Sequence, residues 1–380
     1  MAWKPRYFDI GVNFSDPMFH GRYHGSAEPK HPLDIDAVIA RARLFGVEKM
    51  LITASDIQES QDHFELVKQH EGLASTVGVH PCSVAREFYG GLDKKEPLPD
   101  VDERLDRIRR LAEEGHAKGH VAAFGEIGLD YDRQHYLTAA QQREMFRRQL
   151  EVHESLQHLR LPLFLHMRAA CDDFVDIIKP FMDRGAIVRG SGVVHSFTGY
   201  EDELCKILEL GFYVGVNGCS LKTAENLAVA KLIPIDRLLI ETDAPWCEMR
   251  KSHASHDRIA AYPSVFYPKV ADGPATESAA AAPQKQRQAI KLDDVLPFPS
   301  IKKENWAKHK ALAQQKLESS GTASTQIGEC AAPLIKSRNE PVFVGCVASV
   351  MASLHDITDE EQIRDFVDTI NANSCGLFRM

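Results

Sequence analysis

Eight short apolar runs, separated mostly by segments of helical periodicity, constrain this chain more than any other feature. That alternation marks βα units, because a parallel strand needs a crossover that carries the chain back and covers the sheet. The runs are 7–13, 49–54, 74–79, 121–124, 161–165, 192–194, 212–216 and 238–242. The connecting segment 34–45 is apolar at Ile35, Val38, Ile39 and Ala42, the helical repeat. Helices are also predicted over 58–70, 101–117, 139–157, 169–182 and 201–210. Eight such strands close most economically as a (β/α)8 TIM barrel, an α/β fold. Two further helices, 342–354 and 359–371, end the chain. Residues 264–336 break the pattern with an alanine run (Ala279–Ala282) and scattered Pro, Gln and Lys, and no apolar period. They predict a flexible low-complexity insertion after strand eight, with 303–317 a transient helix. The reading is one barrel domain over 1–380 with 264–336 inserted in it.

Composition matters mainly for what it excludes. A net charge of −9 argues against a broad electrostatic grip on nucleic acid, though not against a strand held at one small, metal-neutralised cleft. Eight cysteines without a Cys-x-x-Cys pair suggest neither a zinc knuckle nor a redox motif, and read as free thiols in a reducing compartment. No apolar run approaches the roughly 20 residues of a membrane span. The expectation is a soluble intracellular protein, cytoplasmic or nuclear, with no membrane contact and no protein partner designated.

The chemistry gathers at strand ends. Phe124-Gly125-Glu126-Ile127-Gly128-Leu129-Asp130 sets a carboxylate between two glycines at the end of a buried strand. A buried carboxylate is costly unless its charge is compensated, and a divalent cation is one partner; a helix cap is the plainer one. Asp9, His80, His166, His195 and Asp243 occupy comparable positions. A lone histidine beside an apolar run is more often structural, but a barrel brings all its strand ends to one face. Two imidazoles and two carboxylates suit Zn²⁺ or Mn²⁺, and Mg²⁺ where waters complete its shell. Such a cation acidifies water, and Asp243 is placed to take the proton. No Gly-rich phosphate loop occurs, and Ser196 lacks a nucleophile-elbow context.

The motifs Asp9-Ile-Gly-Val-Asn13, Val79-His-Pro81, Gly125-Glu-Ile-Gly-Leu-Asp130, Leu165-His-Met-Arg168 and Val194-His-Ser-Phe-Thr-Gly199 occur in this order. Asn217-Gly-Cys-Ser-Leu-Lys222, Glu241-Thr-Asp-Ala-Pro-Trp246 and Arg338-Asn-Glu-Pro341 follow. Together they resemble the TatD-family metal-dependent deoxyribonucleases, eukaryotic branch, among the amidohydrolase-like barrels. The resemblance covers the chain outside 264–336. It implies that Glu126, His166, His195 and Asp243 ligate a divalent cation, Mg²⁺, Mn²⁺ or Zn²⁺. Many members carry His-x-His on strand one, where this chain has Gly11 and Asn13. That leaves one metal site, and a second, more buried site in doubt. Asp9 is then a partner behind the ligands or a strand-end cap. His80 is a candidate phosphate contact, and Arg168 pairs with a phosphate, with a carboxylate ligand, or in a salt bridge holding the rim. Lys222 and Lys251 are further phosphate candidates. Asp130 fixes a loop or a ligand's orientation, and Trp246 stacks on a base or packs under its loop. The implied activity is hydrolysis of DNA phosphodiester bonds from the 3′ end. The same barrel would also suit an amidohydrolase acting on amide or lactone bonds, or a binding protein that has lost activity; Glu126 in place of the strand-four lysine favours the nuclease.

Overall fold

A computed structural model describes residues 3–133, 137–269, 292–311 and 332–380. Eight parallel strands pair in chain order: β1 (Tyr7–Val12), β2 (Val47–Ile52), β3 (Leu73–Val77), β4 (Val121–Asp130), β5 (Leu163–Arg168), β6 (Gly192–Val194), β7 (Tyr213–Val216) and β8 (Leu238–Ile240). Closure between β8 and β1 rests on a parallel bridge from Val12 to Ala244 and on backbone bonds. Asn13 N–H donates to Ala244 O at 2.7 Å, and Asp243 N–H to Gly11 O at 2.9 Å. Helices α1 (Ile35–Leu44), α2 (Ile57–Gln69), α3 (Val101–Ala117), α4 (Ala139–Ser155), α5 (Cys171–Asp183), α6 (Glu201–Glu209) and α7 (Ala224–Ala230) form the crossovers. No helix among the described residues is long and apolar enough to cross a membrane.

Two differences from the sequence reading bear on the site. β4 does not end at Glu126 but runs on to Asp130, pairing Gly128 with His166 and Asp130 with Arg168 on β5. Its register slips between Gly125 and Ile127, so Glu126 is the extra residue of a bulge, a device that re-aims one side chain. Both flanking glycines serve close strand approach. A Cβ on Gly125 would lie 2.1 Å from Phe164 O, and one on Gly128 1.9 Å from His166 O. The second difference is α7, which the apolar pattern does not mark. A reciprocal cap between Thr223 and Asn226 starts it.

The end of the barrel opposite the site is plugged from the C-terminus. Helices α8 (Val344–Leu354) and α9 (Glu360–Phe378) follow the barrel, and α9 is longer than its sequence pattern suggests. Leu377 and Phe378 pack into an interior cluster with Phe8, Ile10, Leu51, Ala122, Phe164 and Leu239. The Phe8 and Phe378 rings lie 5.5 Å apart.

The span 264–336 is partly folded onto the core. Phe266, Tyr267, Leu296, Phe298 and Leu334 are buried, and Tyr7 Oη donates to Phe266 O at 2.8 Å. Two short strands, β9 (Ser300–Ile301) and β10 (Leu334–Ile335), pair in parallel within it. Single aromatics spaced along loops leave no period to read, which is why the pattern hides them. The rest of that span, 270–291 and 312–331, lies outside the described residues, as do 312–317 of the expected transient helix. The Arg338–Pro341 motif anchors this region. Arg338 and Arg41 sandwich Glu340, Arg338 also pairs with Asp34 at 2.7 Å, and all four side chains are nearly or fully inaccessible.

Candidate metal centre

The β4 bulge points Glu126 into the carboxyl mouth of the barrel, where one of its oxygens meets three imidazoles. Glu126 Oε1 lies 2.5 Å from His195 Nε2, 3.0 Å from His166 Nδ1 and 3.3 Å from His80 Nε2. By distance alone His80, Glu126 and His166 form a group able to hold a metal ion. The hydrogen-bond partners on the far side of each ring sort the three differently.

His166 Nε2 faces Asp130 Oδ2 at 3.2 Å, so its proton sits there and the Nδ1 lone pair turns toward Glu126. His195 Nδ1 faces Glu241 Oε2 at 3.5 Å, the outer limit of a hydrogen bond, and neither atom has another partner. That carboxylate draws the His195 proton to Nδ1 and leaves the Nε2 lone pair toward Glu126. His80 is the reverse. Its Nδ1 accepts the Cys82 N–H at 3.0 Å, which puts the proton on Nε2, aimed into the site. His166 and His195 therefore present metal-competent lone pairs, and His80 presents a donor. Carboxylate–imidazole pairs of this kind fix the tautomer of metal-ligating histidines.

Lone pairs of two imidazoles and a carboxylate cannot converge without positive charge between them. The titration behaviour says the same. Burial alone would lower the His195 pKa, but Glu126 and Glu241 hold it well above the ordinary imidazole value. His166 is raised despite burial by Asp130 and Glu126. Glu126, which burial would raise, is held well below the usual carboxylate range by His195 and His80. Protons take up the position that a cation fits.

Asp243 faces the same space from β8. Burial, then the Glu241 carboxylate, pushes it up to about 6, and both His195 and Glu126 act on it electrostatically. Its carboxylate accepts from Asn13 Nδ2 at 2.9 Å and from Cys247 Sγ at 3.2 Å. Its backbone has φ 53°, a left-handed conformation shared by Ser196 after His195 and Ala169 after Arg168. Such strain is characteristic of residues that the surroundings force into a site.

Asp9 is engaged elsewhere. Thr242 N–H and Oγ1–H donate to it at 2.9 and 2.5 Å, with Gly11 N–H at 3.3 Å, so it ties β1 to β8. Burial pushes it up to about 8 against those hydrogen bonds. Arg168 Nε pairs with Asp132 at 2.8 Å on the rim, and Lys251 pairs with Asp294 at 2.8 Å. Trp246 is 55% exposed and does not pack under its loop.

Two contributors were not singled out from the sequence. Glu241 also accepts Ser196 N–H at 2.6 Å and Asn217 Nδ2 at 3.1 Å. A carboxylate inside Leu238-Leu239-Ile240-Glu241 is itself a signal, since it needs a buried partner. Gly11 makes room for it, as a Cβ there would lie 2.6 Å from Glu241 Oε2. Asn13 is the second, holding Asp243. A cavity of about 480 Å³ lies behind the β8 loop, lined by Thr242, Cys247, Ile259, Arg338 and Phe343 among others, and excludes the Glu126 cluster.

Residues 8–288 match the family model described as TatD related DNase. The chain belongs to this family. Among TatD relatives, the deoxyribonuclease Tat-D of Schizosaccharomyces pombe is 40% identical over 94% of this chain and 91% of its own length. The protein named 3′-5′ ssDNA/RNA exonuclease TatD of Erwinia tasmaniensis is 37% identical over 63% of this chain and 80% of its own. A crystal structure described as an uncharacterized amidohydrolase from Saccharomyces cerevisiae superposes with a TM-score of 0.73 at 32% identity, covering 98% of this chain and 99% of that one. The Glu126 cluster thus sits at the mouth of a TatD barrel.

Proposed function

We propose that this protein is a metal-dependent deoxyribonuclease that removes nucleotides from the 3′ end of DNA. Support comes from the family and, above all, from the convergence of Glu126 Oε1, His166 Nδ1 and His195 Nε2 on one cation-demanding point. Those three and Asp243 would hold one divalent cation, Mg²⁺, Mn²⁺ or Zn²⁺. When bound, such a cation supplies Lewis acidity and makes water acidic enough to act as a nucleophile near neutral pH.

The chain's own groups do the rest. The Asp243 carboxylate, facing the same space as Glu126 and His195, accepts a proton from the attacking water. Asn13 and Cys247 hold that carboxylate in place. His80 Nε2–H, oriented by the Cys82 amide, donates to a non-bridging phosphate oxygen. Arg168 exchanges its exposed partner Asp132 for substrate phosphate. Asp130 and Glu241 keep the two ligand imidazoles turned. The absence of imidazoles at Gly11 and Asn13 supports a single cation, because Glu241 and the Asn13 amide occupy that side.

The test is turnover of 3′-labelled single-stranded and duplex DNA after chelation and add-back of each cation. Wild type is compared with Glu126→Ala and Asp243→Asn. Metal-restored cleavage lost in both variants supports the reading. Intact DNA with every cation would pass the site to amide or lactone substrates instead.

A further inference from the structure

The barrel rim from β5 to β8 carries a pattern that hydrolysis alone does not require. Seven large apolar side chains stand out as exposed among the described residues, and only two are aromatic: Tyr200, 74% exposed, and Trp246. Both sit on loops that leave candidate ligands, Tyr200 five residues after His195 and Trp246 three after Asp243. Exposed cations stand between and beside them, Arg168 at the end of β5 and Lys222 on the loop after β7. Because β5, β6, β7 and β8 are neighbours in that order, the rim reads Arg168, Tyr200, Lys222, Trp246.

Single exposed aromatics are ordinary, and lysines usually face water. Alternation on consecutive loops of one mouth, in a chain of net charge −9, is less so. The four backbones are also held, Arg168 O by the Tyr131 N–H at 2.9 Å. Tyr200 N–H donates to Glu203 Oε2 at 2.9 Å, Trp246 N–H to Asp243 O at 2.9 Å, and Lys222 O accepts from Ala254 at 3.0 Å. Burial raises the Asp16 carboxyl pKa and Trp246 lies near enough to oppose that rise, while more than half of the Trp246 surface stays exposed. Arg168 adds an exposed ion pair that phosphate can displace at small cost.

We propose that these four residues form a track for single-stranded DNA, with bases stacked on Tyr200 and Trp246 and intervening phosphates on Arg168 and Lys222. It rests on the nuclease reading for its substrate class and adds how an unpaired 3′ end is led to Glu126. Base stacking on aromatic faces tolerates any sequence, and a cationic groove follows the backbone. A duplex end, whose bases stack on each other, gains little from such a surface.

The experiment measures fluorescence anisotropy of a labelled phosphorothioate oligodeoxythymidine with the metal-loaded, full-length protein. Trp246→Ala and Tyr200→Ala are each expected to weaken binding about tenfold, while Trp246→Phe stays within about threefold of wild type. Lys222→Ala should flatten the log–log salt slope by about 0.7. A blunt duplex should bind more weakly and ignore both aromatic substitutions. Melting temperatures show that each variant is folded. Wild-type affinity in both Ala variants, an unchanged salt slope, or equal losses for Phe and Ala at 246 would overturn the track. If wild type binds in this manner yet never cleaves DNA, the nuclease reading fails and the track stands.

Discussion

Around β4, β5 and β6, one buried carboxylate faces imidazole nitrogens whose outer sides are held by further carboxylates. Across the mouth, at β8 and β1, Asp243 and Asp9 are met instead by amide, hydroxyl and thiol donors from Asn13, Thr242 and Cys247. The first side gathers lone pairs that need positive charge between them, from protons or from a cation. The second is already hydrogen-bonded, and in the proposed reading only Asp243 turns from it toward the cation, while Asp9 stays engaged. One barrel therefore carries two solutions to buried charge, and only the first gathers imidazoles able to hold a metal.

The largest test of that contrast is to remove the carboxylate at its centre. Glu126→Ala should cost several kcal/mol of transition-state stabilisation, about a thousand-fold in kcat on DNA. Asp9→Asn, on the hydrogen-bonded side, should leave cation affinity close to wild type while lowering the melting temperature. Equal losses of affinity in both would erase the distinction. Next come the carboxylates behind the imidazoles. Asp130→Asn and Glu241→Gln should each weaken cation binding about 10–100-fold, read by competition with a fluorescent chelator. A loss in one and none in the other would show that only one imidazole needs its carboxylate.

The pH dependence sharpens the contrast further. His166 and His195 have raised folded pKa values, so in chelated protein their contribution is complete below the ordinary imidazole value, about 6.5. It is lost as pH rises through the folded values. Added cation should restore the melting temperature increasingly over that same rise, because metal and protons compete for the same lone pairs. Asp9, pushed up to about 8, also loses stability with rising pH, and cation should not restore that part. Rescue that fades toward high pH would contradict the assignment. The smallest effect expected is at Asn13. Asn13→Ala removes a donor to Asp243 and should move the acidic limb of the kcat/KM profile to higher pH by a fraction of a unit to one unit, about 1.4 kcal/mol at most.

The barrel was legible because its strands are buried on both faces and read as unbroken apolar runs. Polar residues at their ends stood out for the same reason. What stayed hidden was register and reciprocity. Glu126 reaches the mouth through a bulge, and an extra residue in one strand leaves no mark on an apolar run. Helix α7 is specified by its Thr223–Asn226 cap more than by an apolar stripe. Phe266, Tyr267 and Phe298 reach the core from loops, where no period applies. His80 and His166 are the same residue type at matching positions, and only their partners, the Cys82 amide and Asp130, separate the ring that turns an N–H into the site from the ring that turns a lone pair there. Glu241 was readable in principle, as a carboxylate in an apolar strand. Its partner His195 lies 46 residues away, and no local pattern joins them.

The most direct measurement is calorimetric titration of chelator-stripped protein with Mn²⁺ and Zn²⁺, wild type beside Glu126→Ala. The expected result is one tight cation per chain, with protons released on binding and affinity lost in the variant. Two equivalent cations per chain, or one bound as tightly without Glu126, would contradict the assignment of the metal to the β4–β6 side.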